Sequence, residues 1–557
     1  MNPSRADPTR AAGVVHRGAP SIAATLGKRR GPSTRSTVLL LVLLTGAGAV
    51  LRFAGIGDKS LWIDEAFSVW VSQQPFGSLW RTTVDLDFHP PLYYASLHAW
   101  LALGDGEVAL RSLSALLSVL TLPVVFLIGQ RLGGRALGLL SCGLLAVSPL
   151  HIAYAQQARM YALMTLCAAL SILFLVLVIG QPDGSGTSSA GRPRSAYAPR
   201  SSLCWGLFAV STALTMLSHN MAVLVPVAIA LFVAITAIRS ALRSARDHPD
   251  QLLTIGSLLH PLRGVMGVAT GLSAAVVLWL PWLPNFLSQS RRVDEEFWIS
   301  PPTLSTFLEH WHDLTNAYGP EGAYRNYILA VVLVLIVLGV RQLRGRPEAG
   351  LLLLLVLVPV AVELLVSLRR PIFHTQTLAW TSVPLCVLIA AGMLRVRLRP
   401  LVALVAALTL VLNAVGIRSY HLNDGKEDWR TAVHHVAERV RSDELVLFSA
   451  AWAQIPFDYY YARSGGPPIT QRGLPTDVLE SEVLEAKMTE ADLARLDELA
   501  AGRSTVWLVL SHDWYTDPRG MVPSGLSASF RAVDSRAFPG ITVTQYRARR
   551  GWACAGP

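Results

Sequence analysis

Two stretches of the chain set acids, a histidine and aromatic residues at spacings that could do chemistry. They are Leu61-Trp62-Ile63-Asp64-Glu65-Ala66-Phe67 and Asp85-Leu86-Asp87-Phe88-His89-Pro90-Pro91-Leu92-Tyr93-Tyr94. Adjacent acids framed by apolar residues at a membrane surface are costly to desolvate. That setting moves a carboxyl toward the range useful for a general base. Pro90-Pro91 fixes φ, blocks a regular hydrogen-bond ladder and makes a rigid turn into the amphipathic run Leu92 to Leu103. Each cluster alone also has a plain reading. Asp64 and Glu65 would cap a surface helix, and Trp62 and Tyr93 would join an interfacial aromatic belt. Two acidic clusters within one loop favour the chemical reading.

Cationic groups that could meet an anion lie elsewhere. The segment Ser148 to Tyr161 carries Tyr154, Gln156, Gln157, Arg159 and Tyr161 at the mouth of an apolar run. An arginine there can hold a phosphate by paired charge-assisted hydrogen bonds. Alone, Arg159 fits equally well as a side chain snorkelling to headgroups. Ser218-His219-Asn220 is the only polar break between two apolar runs, so His219 could meet a phosphate or sugar, or be a tolerated loop histidine. Arg369-Arg370-Pro371 opens a later run, and two adjacent arginines on an acidic side suggest an anion to bind. Asp294, Glu295 and Glu296 read as solvated.

The elements that must position these groups are membrane helices. Of the 557 residues, 52% are hydrophobic and 15% charged, against about 25% charged in an average soluble domain. A span needs roughly 20 apolar residues. Candidate spans are 36–55, 108–129, 136–152, 160–180, 204–218, 220–238, 264–284, 326–341, 349–367, 375–394 and 400–418, about eleven. With the N-terminus inside, every inner loop is basic, including Arg131 and Arg135, Arg192, Arg194 and Arg200, Arg239 to Arg263, Arg341 to Arg346, and Arg395 to Arg399. The clusters above then fall outside, as does the C-terminus. Residues 1–35, rich in Pro, Arg, Ser and Gly, read as a disordered cytoplasmic tail, and 36–419 as the membrane domain. Thr37 to Val50 lacks a cleavage site and reads as an uncleaved first span.

From about Tyr420 the pattern changes to a small α/β domain, 420–557. A helix is expected over Glu427 to Val440 and another over Glu490 to Ala501. Strands are expected over Glu444 to Ser449, Thr505 to Ser511 and Ile541 to Arg547. The formal charge of +11 is dispersed at the ends of apolar runs, which excludes a nucleic-acid stripe. Four of the five cysteines lie in apolar runs, and no pair has metal-ligand spacing. The fold class expected is an α-helical polytopic membrane protein with a small C-terminal extracytoplasmic α/β domain.

In order, Asp64-Glu65, His89-Pro90-Pro91-Leu92-Tyr93-Tyr94 and Arg159-Met160-Tyr161 resemble the GT-C membrane glycosyltransferases. The resemblance is to glycosyltransferase family 39, which holds the protein O-mannosyltransferases and their bacterial relatives, with the aminoarabinose transferases close by. It spans about Thr37 to Arg430. Bacterial members also resemble the chain at Glu427-Asp428-Trp429-Arg430, and the family usually has Glu where this chain has Gln157. No β-trefoil insert is visible, so a Ser/Thr protein acceptor is not implied.

The resemblance implies a cell-membrane enzyme moving a sugar, mannose or a related one, from a polyprenyl-phosphate donor to an acceptor glycan, lipid or protein. It makes Asp64 the base that deprotonates the acceptor hydroxyl, with inversion at the sugar carbon, and Arg159 and Arg370 the groups facing the leaving phosphate. Glu65, Asp85, Asp87 and His89 would line the sugar pocket or orient Asp64, with Tyr93, Tyr154, Tyr161 and His219 around the substrate. Grooves between the sixth and tenth spans would take the lipid tail. Asp85, Asp87 and His89 also supply hard ligands for a divalent cation, and the metal question stays open at this point. A transporter or flippase would instead need ionisable residues at mid-membrane or broken helices at the bilayer centre; the span interiors are nearly free of charge, with Glu363 the visible exception. A protein acting through its α/β domain alone would leave both acidic clusters without a role.

Overall fold

A computed structural model describes residues 33–179, 202–247, 255–296, 299, 301–316, 322, 324–423, 425–478, 480 and 486–549. The tail expected over 1–35 and the basic loop Arg192 to Arg200 lie wholly or almost wholly outside the described residues. Each of the eleven apolar runs folds as helix. Among the described residues, eight helices are long and apolar enough to cross a membrane, or nine if one bent pair is a single span. The expectation of eleven exceeds that count for a simple reason. Ser202–Ser218 and Ala379–Arg395 have no more than 17 residues each, and at 1.5 Å per residue they fall short of a hydrocarbon core about 30 Å thick.

The N-terminal half holds α1 (Thr34–Phe53), α2 (Ile63–Gln73), α3 (Phe76–Leu86), α4 (Leu92–Trp100), α5 (Glu107–Gly133), α6 (Arg135–Ala146), α7 (Pro149–Ala155) and α8 (Tyr161–Ile179). The run expected as one span over 136–152 is broken, with α6 and α7 meeting at 62°. Local chemistry explains the break. The Ser148 hydroxyl accepts from the His151 amide and Pro149 takes the first helical position, so a new helix starts there. The break removes the α-helical partners of the last carbonyls of α6, and a buried arginine from α1 bonds to them. Arg52 donates to the Leu145 and Ala146 carbonyls at 3.1 and 3.0 Å and to Ser118 Oγ at 2.7 Å. Its guanidinium also lies 2.9 Å from His151 Nδ1. One side chain therefore ties four helices together.

Later helices pack through small residues. The Tyr324–Gln342 and Ser382–Arg395 helices cross at Gly339 and Gly392. A Cβ at Gly339 would stand 2.0 Å from the Leu388 carbonyl oxygen, and one at Gly392 would stand 2.0 Å from that of Leu335. Close approach of backbones at small residues is how helices associate where lipid removes the hydrophobic driving force.

Beyond Asn423 the chain forms a five-stranded sheet. Its strands are β1 (Leu445–Ser449), β2 (Thr470–Leu474), β3 (Thr505–Leu510), β4 (Phe530–Phe538) and β5 (Ile541–Ala548), in the order β2-β1-β3-β5-β4. β1 pairs in parallel with β2 and β3, and β5 runs antiparallel to β3 and β4. β1 is buried along its whole length, as a strand covered on both faces must be. Alternation then sorts its neighbours. Val446, Phe448, Trp507 and Val509 face the core shared with Trp429, Phe457 and the membrane portion. Leu445, Leu447, Val506 and Leu508 face a second core with Leu496 and Leu526. The expected helices and strands are present, with ends that differ by up to three residues; β5 runs one residue beyond the expected Arg547. The Gln454–Ser464 and Met521–Ser529 helices, β2 and β4 were not expected. β2 is a short edge strand of sequence Thr-Gln-Arg-Gly-Leu, and β4 is exposed along most of its length, so neither carries an alternating apolar signal.

Replacing Gly392 by Val should force the two helices apart at a cost of about 1–3 kcal/mol. The expected outcome is a lower melting temperature in detergent than for Gly392→Ala, which in turn melts below wild type.

Candidate functional site

α2 splits the two adjacent acids because neighbours on a helix point about 100° apart. Glu65 turns inward and has no exposed surface. Arg111 of α5 grips it in a two-pronged pair, Nε to Oε1 at 2.8 Å and Nη2 to Oε2 at 2.6 Å. The Ala158 amide adds a bond to Oε1 at 2.8 Å. Burial works against the charge on Glu65, but Arg111, Lys426 and these hydrogen bonds outweigh it and hold the carboxyl down at about 2. Arg111 also donates to the carbonyls of Ile56, Lys59 and Ser60, so the whole turn before α2 hangs on one guanidinium. Of the two alternatives expected for Glu65, lining the pocket or orienting Asp64, the first is corrected, since it does not reach the cavity. All its lone pairs are engaged inside the protein.

Asp64 turns the other way, with 38% of its side chain exposed, onto a cavity of about 450 Å³. Arg159 lies beside it, with Nη2 3.6 Å from Asp64 Oδ2 and Nη1 donating to the Asp64 carbonyl and to Ser68 Oγ. Arg159 is itself buried, and its Nε has no partner among the described residues. The segment between α7 and α8 that carries it is held from behind. Ser114 donates to the Arg159 carbonyl, and the Tyr93 hydroxyl lies 3.0 Å from Ser114 Oγ. Tyr93 is thus a buried support and not part of the cavity wall.

The second acidic cluster builds the next wall. Buried Asp87 accepts from the Phe88 amide at 2.7 Å, lies 3.0 Å from His89 Nδ1, and accepts from the Tyr94 hydroxyl. Burial opposes its ionisation, yet His89, Arg159 and these bonds hold its carboxyl below the usual range. The backbone of this turn is fastened to two distant helices, since Gln289 donates to the Asp87 carbonyl and Asn220 to that of Phe88. The His89 and His219 rings are 4.9 Å apart. His219 Nδ1 accepts from the Met221 amide, which leaves Nε2 as its donor. The Tyr161 hydroxyl donates to Gln376 at 2.6 Å.

Asp64, Asp87, His89, Arg159, Tyr161, His219 and Arg370 all line this cavity, whereas Glu65, Asp85, Tyr93 and Tyr154 do not. Tyr154 packs behind Tyr161, with ring centroids 5.0 Å apart. The cation site drawn from Asp85, Asp87 and His89 does not form. Among the described residues no three His, Cys, Asp or Glu side chains gather for a metal, and both carboxylate oxygens of Asp87 are committed to neighbours. Wall residues that the spacing did not single out are Gln376, Thr377, Gln289 and Trp452. Glu363 had one signal, a charge inside an apolar run. It accepts from Thr377 at 2.8 Å through one oxygen, and its other oxygen has no partner among the described residues.

The N-terminus of α2 is also held by the sheet domain. Glu427 Oε2 accepts from the Ile63 amide at 3.1 Å and from Trp429 Nε1, while its Oε1 lies 3.3 Å from His512 Nε2. Tyr460 accepts from the Leu61 amide at 2.6 Å and lies 2.9 Å from Glu107.

A family model described as dolichyl-phosphate-mannose-protein mannosyltransferase matches residues 88–187, which begin at the Phe88-His89 turn and pass through Arg159. The apo structure of ArnT from Cupriavidus metallidurans superposes with a TM-score of 0.57 at 14% identity, covering 93% of this chain and 99% of that one. The same protein bound to undecaprenyl phosphate gives 0.54 at 14% identity, over 94% and 100% of the two chains. This chain has the GT-C fold. It is a multi-pass membrane protein of that architecture, with a small sheet domain at its C-terminal end. No curated protein matches it.

The buried pair makes a testable statement. Removing Arg111 strands a charge and should cost about 3–5 kcal/mol, so Arg111→Ala should fail to give monodisperse protein in detergent while Arg111→Lys gives some. The folded value for Glu65 lies below its ordinary 4.5. Its contribution to stability is therefore complete above that value and is lost as pH falls from 4.5 toward 2. Thermal scans should show that acid-side loss in wild type and a smaller one in Glu65→Gln.

Proposed function

We propose that the chain is an inverting glycosyltransferase that moves a sugar from a polyprenyl-phosphate donor to an acceptor hydroxyl at the outer face of the cell membrane. The observation that carries this reading is one cavity in which an exposed carboxylate, Asp64, stands beside a buried guanidinium, Arg159, with an unsatisfied N–H. A base for the acceptor and a cation for the leaving phosphate are what such a transfer needs within one sugar's width. The match to ArnT, solved with undecaprenyl phosphate, supports a lipid-phosphate donor. The mannosyltransferase family model supports mannose or a related sugar. The basic inner loops support a cytoplasmic N-terminus, with the domain after about residue 420 outside.

In the reaction, the acceptor oxygen attacks the anomeric carbon while Asp64 takes its proton. The bond from that carbon to the phosphate oxygen breaks, and polyprenyl phosphate leaves with the electron pair. Arg159 offsets the charge that develops on the phosphate, and Arg370 lies on the same cavity wall for a second contact. His219 Nε2–H and His89, steadied by Asp87, supply hydrogen bonds to donor oxygens. Val362, Val366 and Leu224 line the apolar side of the cavity, where the first isoprene units would lie.

Membranes carrying the chain, supplied with radiolabelled polyprenyl-phosphate-mannose, should label endogenous acceptor. Asp64→Asn should lower the rate by about 10²- to 10⁴-fold, the usual contribution of a general base, at normal expression. Arg159→Ala should weaken donor use. Full activity in Asp64→Asn would exclude Asp64 as the base.

A further inference from the structure

We infer that the C-terminal sheet domain is part of the active site and supplies the acceptor subsite, a stacking platform for a saccharide centred on Trp452. The inference rests on the glycosyl-transfer reading above and names the class of its acceptor.

Among the described residues, Trp452 is the one from the sheet domain that lines the 450 Å³ cavity. It sits on a short turn, Ala451–Ala453, directly after β1. Its indole is only partly buried, and the edge-on ring of Phe67 fixes its plane at a centroid distance of 5.5 Å. Phe67 lies three residues after Asp64 on α2, so both side chains project from one face of that helix. Through Phe67, α2 thus ties the indole to the helix that carries the proposed base, and both line the one cavity. A flat, partly exposed indole next to a carboxylate suits a sugar ring. Its C–H face covers the aromatic surface, and its hydroxyls are left at the edge to meet a polar group.

The topology independently points to the same place. The chain goes from β1 to β2 on one side of the sheet, and from β3 to β4 at the opposite edge. The crevice outside the C-terminal ends of β1 and β3, in the parallel part of this mixed sheet, is thus where the chain direction switches, and open α/β sheets bind ligands at such points. Both strands end there in residues of unusual backbone geometry. Ala450 has φ 73 and His512 has φ 58. Strain of this kind in non-glycine residues collects at binding sites, because a side chain must be aimed against local preference. Here Ala450 aims Trp452 at the cavity, and His512 aims its ring at Glu427, which caps α2. The domain is docked tightly enough to hold this register. Ser60 donates to the Glu427 carbonyl at 2.6 Å, and Arg430 pairs with Glu107 at 2.7 Å.

The test uses the full chain in lipid nanodiscs and two readouts. The first is saturation-transfer NMR with neutral gluco-, manno-, galacto- and arabino-oligosaccharides. At least one series should bind to wild type, Trp452→Phe should keep that binding, and Trp452→Ala should lose it. The second is transfer of radiolabelled mannose from polyprenyl-phosphate-mannose to that oligosaccharide, to a Ser/Thr-rich peptide and to a glycolipid. Trp452→Ala should raise the half-saturating oligosaccharide concentration about tenfold, the size of one aromatic contact, with the donor requirement unchanged. No binding by any series, binding indifferent to Trp452→Ala, or label entering only the peptide would overturn the saccharide subsite. Oligosaccharide binding that depends on Trp452 without transfer from any lipid-phosphate sugar would uphold the subsite and overturn the glycosyl-transfer reading instead.

Discussion

The site depends first on a carboxylate that has no access to solvent. Glu65 is surrounded by protein, and a buried charge is tolerable only when every lone pair is met. Arg111 meets two of them, and its remaining N–H groups gather three carbonyls from the turn before α2. The Ala158 amide meets another and so fastens the Arg159 segment to the same anchor. One ion pair therefore sets the position of α2, the turn before it and the segment carrying the cavity's guanidinium. Asp64 gains its exposed position because its neighbour is held inside.

A second buried arginine plays a comparable part deeper in the molecule. Arg52 bonds to the last carbonyls of α6 and braces His151 on α7. The break between those helices is thereby stable, and it is the break that turns the chain back toward the cavity. Both cases follow one rule: irregular backbone within an apolar body survives where a multidentate donor closes its hydrogen bonds. Arginine suits the task because its fork of N–H groups serves several carbonyls at once.

The sheet domain acts from the opposite side. Glu427 and Tyr460 complete the N-terminal turn of α2, so the helix bearing Asp64 is braced by the membrane portion at Glu65 and by the sheet domain at Ile63 and Leu61. Ile56 to Leu61 lies between these anchors, where Arg430 also donates to the Gly57 carbonyl. Such bracing holds a side chain to the narrow tolerance that chemistry at a single atom demands.

Much of this was legible in the amino-acid order. Apolar runs determined where helices form, because lipid-facing backbone must bond to itself. Period-two and period-3.6 patterns located the three central strands and two of the flanking helices of the sheet domain. Residue types alone brought Asp64, Asp87, His89, Arg159, Tyr161, His219 and Arg370 to notice, and all seven meet in one cavity. Folding decided which of two adjacent acids faces the cavity, since the helical rotation between them is visible only once a partner such as Arg111 claims one. It decided that Tyr93 and Tyr154 stand behind the wall, and that Asp87 spends its oxygens on His89 and Tyr94 and not on a cation. It also brought Trp452 beside Asp64 from 388 positions later in the chain. No local pattern encodes that approach, because it arises from the docking of two domains through hydrogen bonds between residues far apart in sequence.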